Sequence, residues 1–520
     1  MNHATTPDAT LTRPTHTKII ATLGPATDDP VVLERLIDAG VSVFRINFSH
    51  ASLDAHATRL ELVRSVTARA SRPVAVLGDL SGPKIRIGDV PDVDPEGGVI
   101  LEAGQDVALR PGHGPATFDD SLAIFDTTLT RIADDVEPGQ RVLINDGAIR
   151  LLAVDREPGR ELRCRVTVGG RVTTHKGINL PDTDLKIPAI TPRDWECVEW
   201  AVRRGLDFLA LSFVRSADEI FALKNKLAEL CSVDHQWSDA QVGLQIPVVA
   251  KIEKPQALAN LRAIVEASDA IMVARGDLGV EMDVAHVPVA QKEIIATCHS
   301  VGRPVIVATQ MLETMIESPI PTRAEASDVA NAVFDGADAV MLSAETAVGK
   351  RPGLVVDTMR RIIEAAEDRL LQVPILQLPH PELPEFAHRS AAMAHGALHI
   401  AREAHARLVA VWSQAGGMAG YLSRLDLTIP ILAYTSSPVA ARRMTLLGGV
   451  VPVRADPPED GSLRAWTDMV ESHVVDHNLA VNGDSVVLVG GKPLGSITAQ
   501  DAVSILRVGN AGSGFREAEG

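Results

Sequence analysis

A chain of 520 residues exceeds one ordinary domain and points to about three. With 46% hydrophobic and 22% charged residues it has the composition of a folded globular protein, which excludes a disordered or fibrous one. Its net charge of −17 excludes the basic footprint of a nucleic-acid binder or of a protein held on an anionic membrane, so anionic ligands need local basic pockets.

The first seventeen residues are polar and Thr-rich, without an apolar stretch of signal-peptide length, and are expected to form a flexible tail on a cytoplasmic protein. From Lys18, short β-branched runs alternate with longer amphipathic stretches, the pattern of parallel strands with crossover helices. The runs are KIIATLG from Lys18, VSVFRIN from Val41, VAVLGDL from Val74, DFLALSF from Asp207, PVVAKIE from Pro247, AIMVARGD from Ala270, VIVATQM from Val305 and AVMLS from Ala339. Eight strand-helix repeats predict a (β/α)8 TIM barrel. Between the third and fourth runs the helical period disappears, and short alternating segments with Pro-Gly, Asp-Gly and Gly-Gly turns predict a small β-barrel domain inserted as a lid. A helix after Glu345 is expected to reach about Leu371, where Pro374, Pro379, Pro381 and Pro384 interrupt regular structure. An open-sheet α/β domain follows, with strands LVAVWS, PILAYT, VVPVRA, SVVLVG and ILRVGN. The expected partition is a tail at 1–17, barrel at 18–82 and 188–370, lid at 83–187 and C-terminal domain at 371–520. Cys164, Cys197, Cys231 and Cys298 are far apart with no CxxC pair, which predicts reduced, mostly buried thiols. Nowhere do eighteen apolar residues run together, so no membrane partner is expected.

Chemistry in such barrels gathers at the C-terminal ends of the strands. Those ends carry Arg45, Asn47, Ser49 and His50, then Asp79, Lys251 with Glu253, Asp277 and Thr309. Any one alone is as readily a structural ion pair or cap; their agreement points to a site. Lys251 and Glu253, two apart on a strand, share a side, either as a presented ammonium and carboxylate or as a buried salt bridge. Glu253 and Asp277 are a pair of hard oxygen ligands suited to Mg2+ with water and substrate phosphate. Arg45 offers a planar fork and Lys251 a point charge for a transferring phosphoryl group. ARGDLGVE reads as strand, tight turn and helix start, and backbone N–H groups at Gly276 and Asp277 suit a carboxylate. Its RGD tripeptide as an adhesion motif does not suit an acidic chain without a secretion signal.

FRINFSH at Phe44 to His50, AKIE at Ala250 to Glu253, IMVARGDLGVE at Ile271 to Glu281, ATQMLETM at Ala308 to Met315 and the long stretch from Pro321 to Pro352 resemble the pyruvate kinase family, in order and over nearly the whole chain. The resemblance implies phosphoryl transfer from phosphoenolpyruvate to ADP, giving pyruvate and ATP as the final step of glycolysis, in a homotetramer. It implies Lys251, Arg45 and Thr309 as catalytic, and Arg45, Lys251, Gly276, Asp277 and Thr309 as substrate-binding. Glu253 and Asp277 would hold Mg2+ or Mn2+. Asn47 and His50, with Arg86 and Lys176 at the lid's two hinges in GPKIR and HKGINLP, would reach the nucleotide phosphates. Thr309 with a water is the candidate donor to the enolate. A Mg2+-dependent aldolase or lyase on the same barrel is the competing enzyme reading, against which the lid and its basic hinges weigh. A catalytically dead relative would have lost Arg45, Lys251, Glu253 or Asp277, all of which are present.

Two departures from the family pattern carry expectations. Where much of the family reads Asp-Thr-Lys-Gly-Pro-Glu, this chain reads Asp79-Leu80-Ser81-Gly82-Pro83-Lys84, and Ile87 stands where a Thr is common. The resemblance places a monovalent cation at Asn47, Ser49, Asp79 and the carbonyl of Leu80, near that Glu; Lys84 reverses the local charge and supplies the positive charge itself, so no K+ requirement is expected. In the C-terminal domain, the loop from Ser413 to Met418 has one hydroxyl where many relatives have several, so weak or absent activation by fructose 1,6-bisphosphate is expected.

Overall fold

The computed structural model describes residues 15–516 except 71, 95–96, 120–121, 186, 234–244, 373–387, 426–427, 493 and 496–499. Most of the expected tail, and the proline-rich break at Pro374, Pro379, Pro381 and Pro384, lie outside the described residues.

Each of the eight β-branched runs contains a strand: β1 Lys18–Thr22, β2 Val41–Asn47, β3 Ala75–Asp79, β4 Phe208–Leu211, β5 Val248–Ile252, β6 Ala270–Ala274, β7 Val305–Ala308 and β8 Ala339–Leu342. They close into a barrel in chain order, β8 pairing back onto β1 with Lys18 opposite Ala339. Seven of the strands, β1 and β3 to β8, are buried along their whole length, which is why these segments read as runs rich in Val, Ile, Leu and Ala. The crossover helices show the expected start signals. Pro192–Arg203 is capped by Thr191, whose hydroxyl accepts from the Asp194 N–H while the Asp194 carboxylate accepts from the Thr191 N–H, and it packs Cys197, Val198, Ala201 and Val202 inward.

The insertion forms an eight-stranded curled sheet over its own core, which includes Ile87, Val107, Leu109, Phe125, Val142, Leu151 and Leu162. One of its hairpins joins Arg141–Ile144 to Ile149–Glu157 through a turn in which Asn145, Asp146 and Gly147 all stand at positive φ. The C-terminal strands β9 Leu408–Trp412, β10 Ile431–Thr435, β11 Val450–Arg454, β12 Ser485–Lys492 and β13 Gln500–Arg507 form one sheet in the order β11-β10-β9-β12-β13. Only the last pair is antiparallel among the described pairings of this sheet.

Two compact units result: residues 1–45, 58–76 and 311–520, and residues 46–57 and 77–310. The first is built around β1, β8 and the C-terminal sheet; the second holds β4 to β7 and the lid. All four cysteines are free, and Cys164, Cys197 and Cys298 are buried. No described helix is long and apolar enough to cross a membrane.

Candidate active site

Lys251 emerges near the end of β5 and is surrounded by oxygen. Its ammonium lies 2.7 Å from Glu253 Oε1 and 3.3 Å from Asp79 Oδ1, and donates to Ser212 Oγ at 2.8 Å. All four side chains are buried, Asp79 to 1% exposure and Glu253 to 3%. Presentation together and burial as a salt bridge are therefore both true of Lys251 and Glu253. The second carboxylate oxygen of Glu253 accepts from the Phe213 N–H at 2.9 Å. Burial raises the Glu253 pKa above the ordinary 4.5, Lys251 pulls it down, and the charge of Asp277 raises it again. Two carboxylates, the charge of one felt at the other, fit a hard divalent cation. Among the described residues no three His, Cys, Asp or Glu side chains converge on one metal position, so this pair needs water and substrate oxygens to complete a shell.

The expected turn after β6 is already helical: the helix runs Arg275–Glu281, with Gly276 and Asp277 in its first turn. The Gly276 N–H donates to Thr309 Oγ1 at 2.7 Å, and Arg275 holds the Thr309 carbonyl at 2.9 Å. A Cβ on Gly276 would stand 3.3 Å from that hydroxyl, so glycine permits the approach. Asp277 is exposed beside these groups. Thr309 has φ 70°, Gln310 φ 54° and Phe213 φ 59°, a conformation that costs a non-glycine residue on the order of 1–3 kcal/mol and concentrates at functional sites. These three strained residues stand just beyond the ends of β7 and β4.

Arg45 is buried in β2, and its guanidinium donates to Thr22 Oγ1 at 3.1 Å. Beyond it, Asn47 Oδ1 accepts from the Ser49 N–H, the Ser49 hydroxyl donates to Ser81 Oγ at 3.1 Å, and His50 is exposed. The lid hinges meet each other: strand Ile85–Arg86 pairs with strand Gly177–Asn179, Arg86 donates to the His175 carbonyl at 2.8 Å, and the Lys176 carbonyl accepts from the Ile87 N–H. Arg86 and Lys176 are thus neighbours, although ninety residues apart.

The turn from Leu80 to Lys84 is fixed from outside its own sequence. Asp194 accepts from the N–H groups of Ser81 and Gly82, at 2.9 and 3.3 Å. Gly82 has φ 65°, and a Cβ there would lie 2.4 Å from the Phe213 ring. The Leu80 carbonyl accepts from Ser212 Oγ at 2.7 Å, so a relay runs from Lys251 through Ser212 to Leu80. Lys84 keeps an exposed surface, yet its ammonium belongs to the site's charges: surrounding protein lowers its pKa first, then Lys251, while Asp277 and Asp79 raise it.

Residues 14–356 match the family model for the pyruvate kinase barrel domain, and residues 391–506 that for the pyruvate kinase alpha/beta domain. The chain belongs to the pyruvate kinase family. It is 39% identical over 496 residues to a pyruvate kinase of Mycobacterium tuberculosis, covering 95% of this chain and 98% of that one. It is 40% identical over 497 residues to one of Methylorubrum extorquens, covering 95% and 97%. A crystal structure of a pyruvate kinase from Cryptosporidium parvum superposes with TM-score 0.83 at 31% identity, over 96% of this chain and 97% of that one. Membership of the pyruvate kinase family makes the chain a phosphotransferase enzyme.

Sequence reasoning missed Ser212, Phe213 and Asp194. Ser212 and Phe213 were within reach, since they are the last two residues of DFLALSF and strand ends carry the chemistry. Asp194 carries only the signal of a capping box; its grip on Ser81 and Gly82 is a tertiary contact without a local pattern.

Proposed function

We propose that the chain transfers the phosphoryl group of phosphoenolpyruvate to ADP, as the final step of glycolysis, and that it does so without K+. The observation that carries this reading is the buried ammonium of Lys251 held against Glu253 and Asp79. The bond between phosphorus and the enol oxygen breaks, a bond to a terminal ADP oxygen forms, and the enolate takes a proton at carbon to give pyruvate. Lys251 and Arg45 stabilise the phosphoryl charge in flight, in a buried setting where a fixed charge is worth more than in water. Gly276, Asp277 and Thr309 seat the carboxylate, and Thr309 orients the water that protonates the enolate. Arg86 and Lys176, with Asn47 and His50, bind the nucleotide phosphates. Glu253 and Asp277 would hold Mg2+ or Mn2+, which would supply neutralisation of phosphate charge.

Independence from K+ rests on Lys84, whose ammonium interacts with the charges of Lys251, Asp277 and Asp79, and on the Leu80 carbonyl already accepting from Ser212. Asn47, Ser49, Asp79 and Leu80 then form a position served by a side-chain cation. In the C-terminal domain, Ser413 Oγ accepts from the Ala419 N–H and Gln414 is bonded to Ser436, so the loop's one hydroxyl is engaged in holding its own helix turn. This supports weak or absent activation by fructose 1,6-bisphosphate. We further propose a cytoplasmic homotetramer with domain limits 18–82 and 188–370 for the barrel, 83–187 for the lid and 371–520 for the C-terminal domain. The test is ATP formation from phosphoenolpyruvate, ADP and Mg2+ with tetramethylammonium as the sole monovalent cation. Turnover within about twofold of that in K+ is expected; no ATP under either condition refutes the reaction, and strong activation by K+ refutes the independence.

A further inference from the structure

We propose that Glu281 is a positioning residue that latches the returning hinge strand of the lid to the helix bearing Gly276 and Asp277. The inference deepens the reading of that helix as the seat of the substrate carboxylate, and rests on it.

Glu281 is the last residue of helix Arg275–Glu281 and is 3% exposed. Its Oε1 accepts from Lys254 Nζ at 2.6 Å and from Asn179 Nδ2 at 2.9 Å. Asn179 ends the hinge strand Gly177–Asn179, three residues after Lys176. Lys254 follows Glu253 directly, and its ammonium stands 5.3 Å from the Phe213 ring centroid, the same residue whose N–H holds Glu253. One carboxylate therefore joins the lid hinge, the end of the helix that starts at the proposed substrate position, and the residue next to the proposed metal ligand.

Stability does not explain a carboxylate here. It faces the negative end of its own helix, and a buried ion pair is seldom better than apolar residues of the same volume. Apolar neighbours are at hand, since Ile85, Ile178, Leu185 and Phe213 line a cavity that Lys254 also lines. What a carboxylate provides and a leucine does not is a directional bond to a lid residue, one that forms in one hinge position and breaks in another. Glu281 Oε2 is buried without a hydrogen-bond partner among the described residues, so the group has acceptor capacity left for a donor exchange as the hinge moves. The neighbouring cavity reaches the hinge strands themselves, at Ile85 and Ile178.

Asn179→Ala tests the latch, because it removes the lid bond and leaves the Lys254–Glu281 pair intact. We expect the KM for ADP to rise about threefold or more, with kcat changed less, because Arg86 and Lys176 flank the freed hinge. Amide hydrogen exchange at residues 85–87 and 177–179 should quicken while the melting temperature stays near that of the wild type. Glu281→Gln keeps an acceptor for Asn179 and should preserve hinge protection. In a cycle with Glu281→Ala, adding Asn179→Ala should change the ADP KM no further. A wild-type KM together with wild-type exchange in Asn179→Ala overturns the proposal, as do fully additive effects in the cycle. If the wild type itself makes no ATP, the functional reading fails, while the exchange measurement on Asn179→Ala still decides the latch.

Discussion

Replacing Lys251 by Met separates catalysis from folding at the centre of the site. Met matches the length of the lysine stem but leaves Asp79 and Glu253, both almost fully buried, without the ammonium at 3.3 and 2.7 Å. Breaking a buried pair from one side costs about 3–5 kcal/mol. Part of that is relieved when Glu253, whose pKa burial already raises, takes up a proton. Catalysis has no such relief. Losing one charge aimed at the transferring phosphoryl group costs about 3–4 kcal/mol of transition-state stabilisation, or 10²- to 10³-fold in kcat, by analogy with oxyanion-hole donors. Initial rates of ATP formation at saturating Mg2+, with near-ultraviolet circular dichroism to show that the variant is folded, read the two effects apart. The KM for phosphoenolpyruvate should rise less than kcat falls. A folded variant that keeps more than a tenth of the wild-type kcat removes Lys251 from the role proposed.

Glu253→Ala should raise the Mg2+ concentration needed for half-maximal rate sharply, and an unchanged metal titration would place the metal elsewhere. Because burial raises the Glu253 pKa above 4.5, the wild-type metal requirement should begin to climb on acidification at a pH above that value; an onset at or below 4.5 would contradict the shift. Lys84→Glu should create a K+ requirement, read as the ratio of rates in K+ and in tetramethylammonium. His16 titrates in the opposite sense for stability: burial first, then Lys18, lowers its pKa from 6.5 to about 4. Between those values the unfolded chain binds more protons than the folded one, so the stabilisation is present above pH 6.5 and lost as the pH falls towards 4. His16→Gln should flatten that part of the melting profile, and an unchanged slope would show that His16 does not set it. Saturation curves for phosphoenolpyruvate should be nearly superimposable with and without fructose 1,6-bisphosphate; a several-fold drop in half-saturation would overturn the reading of Ser413 to Met418.

The barrel was legible because strands buried on both faces need unbroken β-branched runs, and chemistry follows from where those runs end. That rule pointed to Lys251, Glu253, Asp277 and Thr309, which stand at or just beyond the ends of β5, β6 and β7. It did not reveal that Thr309 and Phe213 adopt positive φ, since nothing in a β-branched or aromatic residue announces a conformation it disfavours. Nor did it reveal Asn179, Lys254 and Glu281, which lie at separations of 27 and 102 residues and meet only through the fold. Lys84 shows the reverse case: the substitution was visible in the turn sequence, but that its charge acts on Lys251 rather than on solvent alone is a property of the three-dimensional arrangement.

The pairing of the two lid hinges has a consequence for how the chain could be edited. Since Arg86 sits opposite Gly177 and the Ile87 N–H reaches the Lys176 carbonyl at 2.8 Å, the insertion enters and leaves the barrel at a single point. Excising residues 88–175 would leave two ends close enough for a two-residue turn to join. The insertion also has its own apolar core, so its length adds little to the entropic cost of bringing β3 and β4 together once it has folded. A barrel trimmed in this way would retain both hinge cations, Arg86 and Lys176, while losing the cover above them. Such a chain is a minimal scaffold on which other insertions could be grafted at the same two-strand doorway.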